Sequence, residues 1–175
     1  MQSRVAKAYL EAERIIIKDR DLINDLHYNR HYGRIENGKL ILHPVEALYL
    51  VYTGKLEVYD NDKKLSFEDL VKRLSHNDEK LWIRFLVYMD LRRRGLIALP
   101  LKGRDVTFLL YSRGADVNYD AAKYLVYAVS EGVRIDFRDL ARIAEEARRS
   151  RKEVILAVMD RQGEIAYYSM NTISL

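Results

Sequence analysis

The chain has 175 residues, with 30 Lys and Arg against 26 Asp and Glu, a net charge of +4, and no cysteine. That length holds one domain or two small ones, the missing cysteines exclude disulfides and thiolate-held metals, and no apolar run nears the roughly 20 residues that span a bilayer. The opening MQSRVAKAYLEAER lacks the long apolar stretch of a secretory signal, so a soluble, cytoplasmic protein is expected. The basic excess is compatible with binding a phosphate backbone without requiring it. A Lys/Arg/Glu-rich chain without cysteine also fits a thermophilic source.

In chain order, Val5 to Leu10 and Arg14 to Ile17 read as short strands, the second carried by three consecutive isoleucines. Arg20 to His27 reads as a short helix, and Gly33 supplies a left-handed backbone position after it. Lys39 to Leu42 is a further strand. His43-Pro44 opens a helix, with Pro44 suited to the first helical position and Val45, Leu48, Tyr49 and Tyr52 as the apolar stripe; Gly54 stops it. Leu56 to Tyr59 is a strand, Asp60-Asn61-Asp62 a turn, and Ser66 caps a helix with Leu70, Val71 and Leu74 facing inward. All four histidines, His27, His31, His43 and His76, fall in this half at loops and helix ends. None has the spacing of a metal-binding helix motif, and no metal site or cofactor is expected.

Ser75-His76-Asn77-Asp78 is a polar break, which divides the chain into an N-terminal domain over 1–76 and a C-terminal domain over 77–175. Glu79 to Arg94 is the longest helical pattern, with Leu81, Trp82, Phe85, Leu86, Tyr88 and Met89 as its buried face. Arg92-Arg93-Arg94 complements the helix dipole or meets RNA, and Gly95 ends the helix. Strands are predicted over Leu96 to Leu99, Val106 to Tyr111 and Lys123 to Val129, with a loop at Lys102-Gly103-Arg104-Asp105 between the first two. Asp136 caps the last helix, whose inner stripe is Phe137, Leu140, Ala144 and Ala147. Val154 to Met159 is a continuous apolar run and so a buried strand. Ile165 to Met170 pairs back on it and leads to the apolar tail Ile173-Ser174-Leu175. The pattern predicts an α+β N-terminal domain followed by an α/β domain with a mixed sheet, without a phosphate-binding glycine loop or a nucleophile elbow.

Six blocks in order, LHPVEALYL (Leu42 to Leu50), KLSFEDL (Lys64 to Leu70), FLVYMDLRRRG (Phe85 to Gly95), LYSRGADV (Leu110 to Val117), KYLVYAV (Lys123 to Val129) and RKEVILAVMD (Arg151 to Asp160), resemble the archaeal tRNA-splicing endonuclease family. The resemblance implies a restriction-endonuclease-like C-terminal domain and a tetrameric enzyme that removes introns from precursor tRNA at bulge-helix-bulge structures. It further implies metal-free attack of a 2′-OH on the adjacent phosphate, leaving a 2′,3′-cyclic phosphate and a 5′-OH. In the family a tyrosine is the base, a histidine the acid, and a lysine stabilises the transition state. The tyrosine matches Tyr111 and the lysine Lys152, but the place of the histidine is held by Ala121, and no histidine follows His76. Tyr111 also reads as a strand aromatic and Lys152 as a helix-end cation.

The last helix of active family members resembles G-x-x-R-x-x-H-S-x-R-K, where the arginine stacks on a bulged base. Here Glu145 stands at that arginine's place, and the glycine and histidine are replaced as well. The resemblance is therefore to a non-catalytic structural subunit of a heterotetramer of the crenarchaeal type, with a separate catalytic subunit and precursor tRNA as its partners. By the same resemblance Glu131 and Asp136 lie where an acidic loop docks into the opposite subunit, and Tyr167, Tyr168 and Met170 on the strand where subunits pair. Glu131 also reads as a solvated turn and Asp136 as a helix cap. Arg148, Arg149 and Arg151 are candidate RNA contacts. An active homo-oligomer using Tyr111, Lys152 and another acid, and a non-catalytic RNA-binding module, are the alternatives.

Overall fold

The computed structural model describes residues 5–101 and 107–170. The loop expected at Lys102 to Asp105, Val106, and the tail Ile173 to Leu175 lie outside them. The chain divides into two compact units, Met1–Phe85 and Leu86–Leu175, and the division falls inside one helix.

The first unit is a six-stranded sheet with helices. In chain order it contains β1 (Ala6–Glu11), β2 (Arg14–Ile17), α1 (Arg20–Ile23), β3 (Arg34–Glu36), β4 (Lys39–Leu42), α2 (Pro44–Tyr52), β5 (Leu56–Asp60), β6 (Lys63–Lys64) and α3 (Phe67–Ser75). The strand order is β3-β4-β2-β1-β5-β6, with β1 parallel to β5 and the other pairs antiparallel. Along β1, Ala6, Ala8 and Leu10 are buried while Lys7 and Tyr9 face out, the period-two pattern of a strand with one dry face. The helix expected over Arg20 to His27 runs as α1 and then as a π-helix over Asn24–Asn29. The short strands β3 and β6 carry no alternating apolar signal and were not anticipated.

Three sequence features act as expected in this unit. Gly33 has φ +64°, and a Cβ there would sit 2.6 Å from the Ile41 carbonyl oxygen, so glycine is required by both conformation and space. Pro44 opens α2 behind His43, whose ring nitrogen accepts from the Val45 amide. The buried Glu46 carboxylate accepts from the His43 and Gly33 amides, tying the helix start to the preceding loop. Ser66 caps α3 by accepting from the Asp69 amide at 3.0 Å. Tyr52 departs from its expected inward place: at the end of α2 it is half exposed, stacked at its edge against Phe67 and Phe85.

Helix α4 (Leu81–Arg93) carries the division between the units. Its buried residues include Leu81, Ile83, Phe85, Val87, Tyr88 and Leu91, whereas Trp82, placed in the buried face by its apolar character, is half exposed.

The second unit continues with β7 (Ala98–Pro100), β8 (Phe108–Leu110), β9 (Tyr124–Ser130), α5 (Phe137–Ser150), β10 (Glu153–Met159) and β11 (Ile165–Met170). Its sheet is mixed, in the order β11-β10-β9-β8-β7, with β9 parallel to β10 and all other pairs antiparallel. Helix α5 makes the crossover between the parallel strands and packs Ile143 and Ala147 on Leu125 and Val154. On the opposite face Tyr88 of α4 meets Phe108 with ring centroids 5.6 Å apart.

Two expectations fail here. Phe137, assigned to the inner stripe of α5, is 82% exposed. Six residues before the buried Ile143, it lies about 120° around the helix from the packed face, and Ile143 takes the inner role. The run from Val154 is not buried throughout: Val154 and Ala157 are, but Ile155, Leu156, Val158 and Met159 are only half covered. The reason is that β10 has just one further strand, β11, outside it, and α5 packs at one end of the strand.

Candidate functional site

The register of the second sheet gathers three side chains at one end. Leu110 pairs with Tyr124, and Tyr124 with Glu153. The residues one step outside these pairs are Tyr111, Lys123 and Lys152, on three adjacent chains. Backbone bonds fasten them: the Lys123 amide donates to the Leu110 carbonyl and the Glu153 amide to the Lys123 carbonyl, both at 3.0 Å. The Tyr111 amide donates to the Ile97 carbonyl at 3.0 Å. With strands about 4.8 Å apart, Tyr111 and Lys152 stand roughly 10 Å from each other across Lys123.

Tyr111 is only 8% exposed, and burial pushes its hydroxyl above the ordinary tyrosine value. Lys152 follows Arg151, which ends α5 in a left-handed conformation at φ +53°. That cap turns the chain from helix into strand, and the Lys152 ammonium donates to the Ser150 carbonyl at 3.2 Å. Of the two alanines before Lys123, Ala122 is buried and Ala121 faces solvent. The register thus places Tyr111 and Lys152 on either side of Lys123 at one end of the sheet, and Ala121, two residues before Lys123, is exposed. Among the described residues no three carboxylate or imidazole groups converge as metal ligands would.

The connection from Tyr111 to Lys123 is braced from within. Asp120 accepts from the Asp116 amide at 2.7 Å, and Asp116 accepts from the Asn118 amide at 2.9 Å and its side-chain amide at 3.1 Å. Arg113 donates to the Arg94 carbonyl at the end of α4. Tyr119, inside this turn, is 89% exposed. Sequence reasoning passed over it; the signal was available in the Asp116 and Asp120 pair that brackets a self-bonded turn.

The basic residues of α5 are less free than their number implies. Glu145 accepts from both Arg148 and Arg149 at 2.8–2.9 Å, which holds its carboxyl down to about 2. Arg151 is exposed at the helix end.

The remaining candidates lie elsewhere. Glu131 follows β9 at the end of the sheet opposite Tyr111, with its amide held by the Met159 carbonyl at 2.7 Å and its side chain exposed. Asp136 is the N-cap of α5, accepting from the Arg138 amide at 2.7 Å, so its side chain is engaged in the helix start. On β11, an edge strand of the sheet, neighbouring residues diverge. Tyr168 is 57% exposed, whereas Met170 packs against the cluster under α5. Tyr167 turns to the other face and donates to Asp90 of α4 at 2.6 Å. Arg94 also donates to Asp90, at 2.8 Å, and lies over the Tyr167 ring. Burial and the Asp90 carboxylate push the Tyr167 hydroxyl well above its ordinary range. Nothing in the sequence announced this pair, which is separated by 77 positions.

Residues 6–71 match the family described as tRNA intron endonuclease, N-terminal domain, and residues 81–167 match tRNA intron endonuclease, catalytic C-terminal domain. The chain belongs to the tRNA intron endonuclease family. It is 34% identical to a tRNA-splicing endonuclease of Pyrococcus furiosus over 95% of both chains, and 34% identical to one of Thermococcus onnurineus over 92% of both. A tRNA-splicing endonuclease of Methanococcus maripaludis is 39% identical, over 96% of this chain and 94% of its own. The six sequence blocks are thereby accounted for as family blocks, and the two-domain architecture with mixed sheets is that of the family. No helix among the described residues is long and apolar enough to cross a membrane.

Proposed function

We propose that this member of the tRNA intron endonuclease family is the structural subunit of a heterotetrameric tRNA-splicing endonuclease, acting on precursor tRNA beside a separate catalytic subunit. One observation carries the reading: by the family resemblance the histidine's place falls on Ala121, and no histidine follows His76. Cleavage at a bulge-helix-bulge leaves a 5′-OH, so the departing oxygen needs a proton; a methyl group has none to give. Losing a general acid removes about 10²–10⁴ of rate.

The burial of Tyr111 supports the same reading, since a desolvated phenol ionises less readily and so offers less phenolate to accept a proton. In this proposal Tyr111 and Lys152 occupy the family's catalytic positions as structural residues. Glu145 and its two arginines stand where an active subunit presents a stacking cation. The partner meets the exposed Glu131 at one end of the sheet and the β11 edge, where Tyr168 faces outward. An uncovered edge of half-buried apolar residues is a surface that a subunit interface removes from water.

The test is cleavage of an intron-containing precursor tRNA by the purified chain, alone and with a histidine-bearing paralogue from the same source. The chain alone is expected to be inactive and the mixture active, with 2′,3′-cyclic phosphate ends. Robust cleavage by the chain alone identifies an active homo-oligomer instead, and no gain from the paralogue identifies a non-catalytic RNA-binding module.

A further inference from the structure

We infer that Tyr119 is a base-stacking residue through which this chain holds an unpaired nucleotide of its RNA. The inference rests on the reading that the chain meets precursor tRNA as part of the endonuclease. Tyr119 is 89% exposed, an extreme position for a ring of that size. Its exposure belongs to a turn with its own fastenings. The Tyr119 and Asp120 amides both donate to the Asp116 carbonyl, at 3.0 and 2.7 Å, while the Asp116 and Asp120 carboxylates accept from backbone amides within the same turn. The ring is therefore presented from a constrained backbone, and the ordering that stacking requires is largely done before RNA arrives.

The chemistry around the turn selects the ligand. Its two ends are Tyr111 and Lys123, at the end of the sheet that also carries Lys152. Lys123 is exposed, with its ammonium 5.1 Å from the Tyr124 ring centre and 3.7 Å from the Glu153 carboxylate. The turn's two aspartates each turn one carboxylate oxygen onto amides of the turn itself, which braces the backbone that carries Tyr119. An exposed aromatic face on a turn that ends in an exposed lysine suits an unstacked base and its phosphate. A bulge-helix-bulge supplies such bases. Stacking is tolerant of base identity, so Tyr119 contributes affinity and placement of the strand, not sequence choice.

The experiment uses the tetramer assembled from this chain and its catalytic paralogue, with bulge-helix-bulge RNA carrying 2-aminopurine at each bulge base in turn. Tyr119→Ala is expected to weaken RNA binding about tenfold and to change the fluorescence at one bulge position, since stacking contributes on that order per base. Tyr119→Trp retains binding, while Tyr119→Leu, which keeps an apolar side chain without an aromatic face, behaves as alanine does. Unchanged affinity and fluorescence in Tyr119→Ala overturns the inference. So does loss of tetramer in sedimentation without loss of RNA affinity per tetramer, which makes Tyr119 a protein contact. If the unaltered tetramer does not bind the RNA at all, the functional reading itself fails.

Discussion

At one end of the C-terminal sheet, Tyr111, Lys123 and Lys152 lie in register on three adjacent chains, and Ala121, two residues before Lys123, is exposed. At the other end, Glu131 leaves β9 with its side chain in solvent, and Asp136 spends its carboxylate on starting α5. At the first end, backbone pairing fixes the places of Tyr111, Lys123 and Lys152 whatever their side chains are. The second end needs no arrangement beyond exposure. Residue 121 can therefore change without disturbing the fold, because the register that places Tyr111 and Lys152 does not depend on it.

The largest effect that breaks this contrast is catalytic. Removing the histidine of the partner subunit is expected to lower cleavage by about 10²–10⁴, while Ala121→His in this chain, tested alone, adds less than about tenfold over background. Tyr111 remains buried and Glu145 remains in place, so a single imidazole does not rebuild the site. Single-turnover cleavage of precursor tRNA measures both, and full activity from Ala121→His would make residue 121 the only lesion.

At the opposite end, Glu131→Lys is expected to weaken association with the catalytic subunit by about tenfold, with a smaller effect at high salt, as for a charge at an interface rim. Sedimentation at two salt concentrations measures it. The same change leaves the melting temperature of the isolated chain within about a degree, because surface substitutions away from caps and cores rarely matter. Asp136→Ala, by contrast, removes a helix cap and destabilises the isolated chain by about 1 kcal/mol.

Tyr167 separates packing from pairing on the edge strand. Tyr167→Phe loses its bond to the Asp90 carboxylate, and about 1–2 kcal/mol of stability is expected to go with it by denaturant titration. Its pH dependence has a definite sign. The folded hydroxyl is held above the unfolded value, so below about pH 10 the stabilisation is fully present. Above that the unfolded chain releases the proton first, and stability falls as pH rises. The phenylalanine variant shows a shallower alkaline decline; an identical decline would mean that Asp90 does not hold the proton on Tyr167.

The smallest effect concerns α5. Glu145→Gln releases Arg148 and Arg149 from their common partner and is expected to raise RNA affinity by less than about tenfold, with a steeper salt dependence. A fall in affinity would show that Glu145 positions the arginines for RNA instead of occupying them.

What was legible in advance follows from the range of the forces involved. Caps, turns and periodicity act within a few residues, so Pro44 and Ser66 opened α2 and α3, Asp136 opened α5, and Gly33 took its left-handed place. The same local signals misled at Trp82 and Phe137, where apolar character was taken for burial although the helix turns both away from the packed face. The order of the family blocks and the absence of histidine beyond His76 are properties of the residues alone, and the functional conclusion depends on them. The tertiary structure decided how those residues are placed. It aligned Tyr111 with Lys152 through strand pairing, joined Tyr167 to Asp90 across 77 positions, and presented Tyr119 on a braced turn. Each of these rests on register or on a contact distant in sequence, and a one-residue slip in pairing turns a side chain to the opposite face, a difference that no local pattern encodes.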